Sequence, residues 1–301
     1  MRIALIGYGE VGRILAEDLR AEDRALTAYD LKLDSDTDEP LRAHAALYGV
    51  TLAESHADAV RGADLVVSAV TARQTVAAAL ACAGALRPEC FFFDCNSASP
   101  GAKITAAAHV AAGGGRYVEG AVMTSVPPHR IKVPILLGGS HAAALEPVLR
   151  GLGFTAKVAS SKLGTASATK MCRSVIIKGF EAMVIESFTA ARYYGVEDTV
   201  IASLAETFPG IDWEKQGAYF FQRVIEHGHR RAEEMCEAAV SVRDAGFEPC
   251  SASGTAHRQE WVADMADEGV FGKKGRKRFA RSLDWRTEAD RILAHLGAKT
   301  D

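Results

Sequence analysis

The 301-residue chain lacks most of the features that would fix its class at a glance. No apolar run reaches the ~18 residues of a membrane span, so no transmembrane helix is expected. Net charge is only −3, and nothing in that balance favours nucleic acid or an anionic membrane surface. Six cysteines (Cys82, Cys90, Cys95, Cys172, Cys236 and Cys250) form no C-x-x-C pair. Their apolar or helical settings predict buried free thiols in a reducing cytoplasm. His227-Gly228-His229 has no cysteine or carboxylate at a ligand spacing, so no metal is expected. Internal repeats are missing, and the only compositional bias is richness in alanine. Met1-Arg2-Ile3 leads straight into an apolar strand, leaving no room for a signal peptide, so the expected location is cytoplasmic.

What is present is ordinary for a globular enzyme: 48% hydrophobic and 24% charged residues, in a chain long enough for two domains. The informative stretch is the first twelve residues. Arg2 to Ile6 reads as a buried strand opening into Gly7-Tyr8-Gly9-Glu10-Val11-Gly12, a G-x-G-x-x-G turn. Gly7 suits the tight turn, Gly9 lets backbone approach a pyrophosphate, and Gly12 allows close helix–strand packing. The following amphipathic helix presents unpaired N–H groups to the phosphates. Asp30 closes the second strand 18 positions beyond Gly12, near the ~20 expected of a carboxylate that accepts from ribose hydroxyls. It favours NAD, and Lys32 beside it leaves NADP open.

Further apolar strands end at Ser68, Val70 and Thr71, and then at Asn96 and Ser97. In a doubly wound sheet these carboxyl ends line the ligand crevice, making all five candidates for cofactor contact. Met123 to Arg130 reads as a Pro-stiffened loop between two more strands, the kind of loop that often carries function. Strand signals stop after Ala159. Thr165 to Tyr194 reads as one long helix with an apolar stripe of Ile176, Phe180, Met183, Val184, Phe188 and Ala191. The rest reads as helices broken at Pro209-Gly210, Gly228, Gly246 and Pro249. The expected architecture is therefore α/β: a Rossmann-type doubly wound parallel sheet (1–160), a long bridging helix, and an all-helical C-terminal domain (161–301).

Lys170, Arg173 and Ser174 stand at i, i+3 and i+4 and share one helix face. A lysine in the first turns of a helix meets the positive end of the dipole, and partial burial lowers its pKa further. Such a lysine can exchange a proton with a hydroxyl near neutral pH. Five basic residues within Lys273 to Arg278 read as a solvated loop in the absence of a nucleic-acid module.

With its G-x-G-x-x-G domain, its Gly164-x5-Lys170-x-x-Arg173-Ser174 helix and its helical tail, the chain resembles the β-hydroxyacid and 6-phosphogluconate dehydrogenase superfamily over nearly its whole length. The resemblance implies an NAD(P)-dependent oxidoreductase acting on a small hydroxy acid, with Lys170 as general acid/base. It places Arg173 and Ser174 where the family has two asparagines, the second orienting substrate. The family's substrate loop aligns with Glu119 to Ser125 and puts its serine on Met123, so Thr124 or Ser125 would substitute. A late lysine motif falls on Arg230, making His227, His229 and Arg230 candidates for a substrate-anion pocket. The resemblance also implies a homodimer. An imine or pyrroline-type reductase, and a non-catalytic NAD-binding regulator, are the alternatives.

Overall fold

In the computed structural model the protein is described over residues 1–35, 38–246, 248–273, 282 and 284–297. It divides into two compact units, Met1–Met171 and Cys172–Asp301. The first alternates strand and helix: β1 (Arg2–Ile6), α1 (Glu10–Leu19), β2 (Ala25–Tyr29), α2 (Glu39–Tyr48), β3 (Thr51–Leu52), α3 (His56–Val60), β4 (Leu65–Ser68) and α4 (Thr75–Ala83). It continues with β5 (Phe91–Asp94), α5 (Pro100–Ala112), β6 (Arg116–Val122), α6 (Val126–His129), β7 (Pro134–Gly138), α7 (Ala142–Gly151) and β8 (Thr155–Ser160).

The strands form one sheet in the order β3-β2-β1-β4-β5-β6-β7-β8. All neighbours are parallel except β6 and β7, which pair antiparallel. Covered on both faces by helices, the central strands must be apolar throughout, and every residue of β4 is buried. The chain runs outward from β1 to β2 and β3, then crosses back to β4. The crevice at the carboxyl ends of β1 and β4 is thus a topological switch point, where open α/β sheets bind ligands. Local signals agree with this order. Ser99 accepts from the Ala102 N–H to cap α5, with Pro100 at its first position.

The second unit contains most of α8 (Thr165–Tyr193), followed by α9 (Glu197–Thr207), α10 (Trp213–Asp244), α11 (Cys250–Asp267) and α12 (Trp285–His295). Its core gathers Ile185, Phe188, Trp213, Phe221, Ile225, Phe271 and Trp285. Among the described residues no helix is long and apolar enough to cross a membrane.

The two compact units meet inside α8, between Met171 and Cys172, because the first turn of that helix is bonded to the sheet as described below. Several expectations need correction. The loop expected over 123–130 winds into the short helix α6, since Pro127 and Pro128 lie in its first turn, where no N–H partner is needed. The break expected at Gly228 is a kink at the adjacent His227, whose backbone leaves helical φ/ψ. Helix α10 continues beyond it, and a Cβ on Gly228 would lie 2.7 Å from the Ala263 Cβ, so this glycine serves the close approach of α11. Of the stripe expected on α8, Val184, Phe188 and Ala191 are buried, whereas Ile176 and Met183 lie on the other side of the helix and are exposed. Cys82, Cys90 and Cys95 are buried free thiols, but Cys172, Cys236 and Cys250 are exposed ones on helices. Of the basic stretch, Lys274 to Arg278 lie outside the described residues.

Candidate active site

The three glycines of the first turn do three different things. Gly7 has φ +93°, and a Cβ there would meet the Ala69 carbonyl oxygen at 2.5 Å. A Cβ on Gly12 would stand 2.1 Å from the Gly7 carbonyl oxygen. Both are fixed by protein packing. A Cβ on Gly9, at the start of α1, would meet nothing within 4 Å. The turn is therefore closed on its protein side and open at Gly9, the arrangement a pyrophosphate needs. Glu10 is exposed in the first turn of α1, and Val11 packs partly against the core.

Asp30 accepts from the Tyr8 N–H at 2.7 Å and from the Lys32 N–H at 3.0 Å, so its carboxylate also ties the end of β2 to the glycine turn. Tyr8 stands in the turn expected to contact the cofactor, but its side chain is fully buried. Its hydroxyl shares a 2.8 Å hydrogen bond with His44, and burial raises its pKa to about 12. Only its backbone belongs to the turn.

The ends of β4 and β5 are laced together. Asn96 donates from Nδ2 to Ser68 Oγ at 3.0 Å and accepts at Oδ1 from the Val70 N–H at 2.7 Å. Ser68 and Asn96 are both buried, so these side chains hold the crevice wall instead of projecting into it. Val70 is half-buried and Thr71 exposed. Below them Asp94 accepts from Lys103 Nζ at 2.7 Å, from the Tyr117 hydroxyl at 2.6 Å and from the Asn96 N–H at 2.9 Å. Burial first, then the Asp94 carboxylate, holds the Tyr117 phenol well above its usual pKa. Sequence reasoning missed this buried cluster. Its one signal was an acid ending the run Phe91-Phe92-Phe93.

Ser97, next to Asn96, is half-buried and accepts from Lys170 Nζ at 2.5 Å. The helix lysine and the polar turn after β5, read separately in the sequence, therefore meet. Neighbouring Cys95 is kept a thiol by burial, which pushes its pKa up to about 12. The first turn of α8 does not present the bare positive end expected from sequence. Glu119 of β6 accepts at Oε1 from the Gly164 and Ala166 N–H groups, at 2.8 and 3.1 Å. Its Oε2 accepts from the Ser167 N–H at 3.3 Å and from the Ser167 hydroxyl at 2.7 Å. Sequence reasoning placed Glu119 only at the start of the substrate-loop alignment, although it is an acid inside a largely apolar strand.

In the substrate-loop candidate, the Met123 N–H is tied to the Pro134 carbonyl at 2.9 Å, Thr124 is exposed, and Ser125 is half-buried just before α6. Arg130 then anchors the loop to α1, donating to Asp18 and Glu17 at 2.7 Å each.

In the second unit Arg173 is exposed and Ser174 is buried. The anion pocket expected from His227, His229 and Arg230 does not form as a set. His229 lies between Glu260, at 3.2 Å, and Asp267, at 2.8 Å, carboxylates that would repel an anion. Partial burial works against its charged form, but the bonds to Asp267 and Glu260 outweigh it and raise its pKa. His229, Glu260 and Asp264 each bring one ligand-type atom within 4.8 Å of the others, so carboxylates do gather here, supplied by the facing helix and not by local spacing. His227 is pushed down to about 4 by burial, with Arg230, Arg223 and Arg231 adding to the effect. Arg230 is exposed, whereas Arg231 is buried and paired with Glu181, which also accepts from Gln259. Lys178 is buried and paired with Glu234, and burial lowers its pKa.

Residues 2–160 match the family described as the NAD binding domain of 6-phosphogluconate dehydrogenase, and residues 191–262 match a domain of unknown function (DUF1932). A conserved hypothetical protein of Sinorhizobium meliloti 1021 is 36% identical, with 97% of this chain and 96% of that one covered and a TM-score of 0.73. The conserved protein MTH1747, described as structurally similar to 3-hydroxyacid dehydrogenases, is 26% identical over 88% of this chain and 99% of that one, with a TM-score of 0.66. The 3-hydroxyisobutyrate dehydrogenase of Mycobacterium tuberculosis, solved with L-serine, is 17% identical over 97% of this chain and 98% of that one and shares the fold with a TM-score of 0.70. The match spans more than half of the chain, and the glycine turn fits a dinucleotide pyrophosphate. The chain belongs to the family of the NAD-binding domain of 6-phosphogluconate dehydrogenase, with NAD or NADP as its cofactor.

Proposed function

We propose that this protein is a dehydrogenase of a small hydroxy acid, with Lys170 as its general acid/base. The observation that carries the reading is the 2.5 Å bond between Lys170 Nζ and Ser97 Oγ. It brings an amine to the carboxyl end of β5, on the same edge of the sheet as the glycine turn after β1. The similarity of a 26% identical relative to 3-hydroxyacid dehydrogenases supports the substrate class.

The residues that would hold the dinucleotide are Gly7 to Gly12 by backbone and Asp30 by its carboxylate. When bound, the nicotinamide supplies the acceptor or donor of a hydride. The chain's own task is the proton. In the oxidative direction a neutral Lys170 amine takes the proton of the substrate hydroxyl as the carbon loses hydride. In the reverse direction the ammonium returns it to the developing alkoxide. Ser97 aims the amine by accepting one of its hydrogens. Thr124 and Ser125, in the loop that Arg130 anchors to α1, are the hydroxyls we assign to the substrate carboxylate. We also infer a homodimer built on the helical unit, where Ile176, Met183 and Tyr194 are more than half exposed. Light scattering on the purified protein checks it.

The direct test is NADH absorbance with C3 to C6 hydroxy acids, their oxo counterparts and cyclic imines, comparing wild type with Lys170→Ala. Turnover of a hydroxy acid should fall by about 10²- to 10⁴-fold in the variant while NADH binding persists. NADH binding with no turnover of any class, unaffected by the substitution, would abandon the enzyme for a regulatory nucleotide-binding protein. Turnover of imines alone would move the reading to an imine reductase.

A further inference from the structure

A carboxylate buried in a strand needs partners, because an unpaired buried charge is costly. Glu119 is fully buried in β6, and its partners are the Gly164, Ala166 and Ser167 N–H groups and the Ser167 hydroxyl. Those N–H groups have no acceptor within their own helix, since the first four donors of any α-helix are unpaired. Glu119 thus caps α8 from the neighbouring sheet, in place of a local Ser or Asp. The pocket is shaped for it. Gly138 lies opposite Glu119 in the β6–β7 register, and a Cβ there would stand 2.2 Å from Glu119 Oε1.

Lys170 follows Ala166 by four residues and Ser167 by three, so it stands directly above the capped turn. A one-residue or half-turn slip at that end would swing Lys170 away from Ser97. The cap also puts a full negative charge against the positive end of the helix dipole. Among the described residues the other titratable groups here are Cys95 and Asp94 at the end of β5, Lys103 of α5 and Tyr117 of β6. Burial keeps the Cys95 and Tyr117 protons on, while Asp94 and Lys103 are paired with each other. Removing the Glu119 charge therefore changes the field at the helix end without a second group ready to replace it.

We infer that Glu119 is a positioning residue: its carboxylate fixes the first turn of α8, sets the register at which Lys170 meets Ser97, and supplies the negative charge at that helix end. The inference rests on Lys170 being the acid/base. Glu119→Gln is nearly isosteric, yet one of its atoms becomes an NH2 group facing donors, so the cap fails on charge and on hydrogen bonding. Glu119→Asp keeps the charge and shortens the reach.

The test uses the full chain saturated with NADH, its lysines ¹³C-dimethylated, with the Lys170 resonance assigned by its loss in Lys170→Ala. In Glu119→Gln the titration midpoint of that resonance should fall by about one pH unit, and the base limb of the pH–rate profile should follow it. The kcat should fall about tenfold or more with KM for NADH unchanged. In Glu119→Asp the midpoint should stay near that of wild type while kcat recovers part of its loss. A midpoint and kcat both unmoved in Glu119→Gln would overturn the inference. So would a lower kcat with an unmoved midpoint in Glu119→Gln, which is the mark of a purely structural cap. Should Glu119→Gln fail to melt cooperatively, Ser167→Ala decides. It deletes one donor and keeps the charge, and an unchanged kcat in that variant overturns the inference. If wild type turns over no hydroxy acid, the NMR midpoint still reads the Glu119 effect, so failure of the dehydrogenase reading is distinguished from failure of this one.

Discussion

The two units bury charge in different ways. In the sheet unit the buried carboxylates draw on backbone donors as well as side chains: Asp94 accepts from the Asn96 N–H beside Lys103 and Tyr117, and Glu119 from three N–H groups at the start of α8 beside the Ser167 hydroxyl. In the helical unit the charged pairs that join one helix to another are made by side chains. Glu181 binds Arg231 and Gln259, and Glu234 binds Lys178. Strand ends and helix starts leave N–H groups without partners, whereas the middle of a helix has none to spare. Buried charge in the first unit therefore fixes turns, including those carrying Ser97 and Lys170. In the second it fixes the spacing of α8 from α10 and α11.

Breaking each kind of network should injure a different property. The largest stability loss is expected for Arg231→Ala, which leaves the buried Glu181 carboxylate without its cation. About 3–5 kcal/mol should disappear from the urea unfolding free energy. Replacing both partners, as Arg231→Met with Glu181→Leu, should restore most of it; a double variant as unstable as the single one would refute the clamp reading. Asp94→Asn should cost less, about 1.5–3 kcal/mol. Lys103 keeps its 3.0 Å bond to the Asp94 carbonyl oxygen, but its carboxylate partner is gone. Here the activity should suffer beyond the stability, since the Asn96-Ser97 turn loses its support. An Asp94→Asn protein that is less stable but fully active would place the network outside the site.

The smallest effect sharpens the contrast inside the second unit, between two histidines two residues apart. His229 has a raised pKa, so its stabilisation is present below its unfolded value of ~6.5 and lost as pH rises through its folded value. His227 is held down to about 4, so its contribution is present above ~6.5 and lost as pH falls toward 4. Tm measured from pH 4 to 8 should lose its alkaline slope in His229→Gln and its acidic slope in His227→Gln. The same change of slope in both variants would contradict the opposed environments.

Much of the architecture was legible in the chain. Apolar runs, the G-x-G-x-x-G turn and Ser-Pro at 99–100 each act within a few residues, and the sheet and α8 formed where those signals stood. The candidate site was legible in its separate parts: the glycines, Ser97 and Lys170. What misled was direction. Tyr8 sits in the cofactor turn yet faces His44, and Ser68 and Asn96 lie at strand ends yet bond each other. Ile176 and Met183 fit a helical period but fall on its exposed side.

The sequence by itself determined which segments become strands and helices, the order in which they alternate, and the dinucleotide turn, because backbone preference and hydrophobic period are local properties. Only the tertiary structure decided the partners of the polar groups: Ser97 with Lys170 across 73 positions, Glu119 with Ser167 across 48, and His229 with acids of α11. Such partners depend on which strand lies beside which and on where a helix begins in space. No spacing along the chain records that.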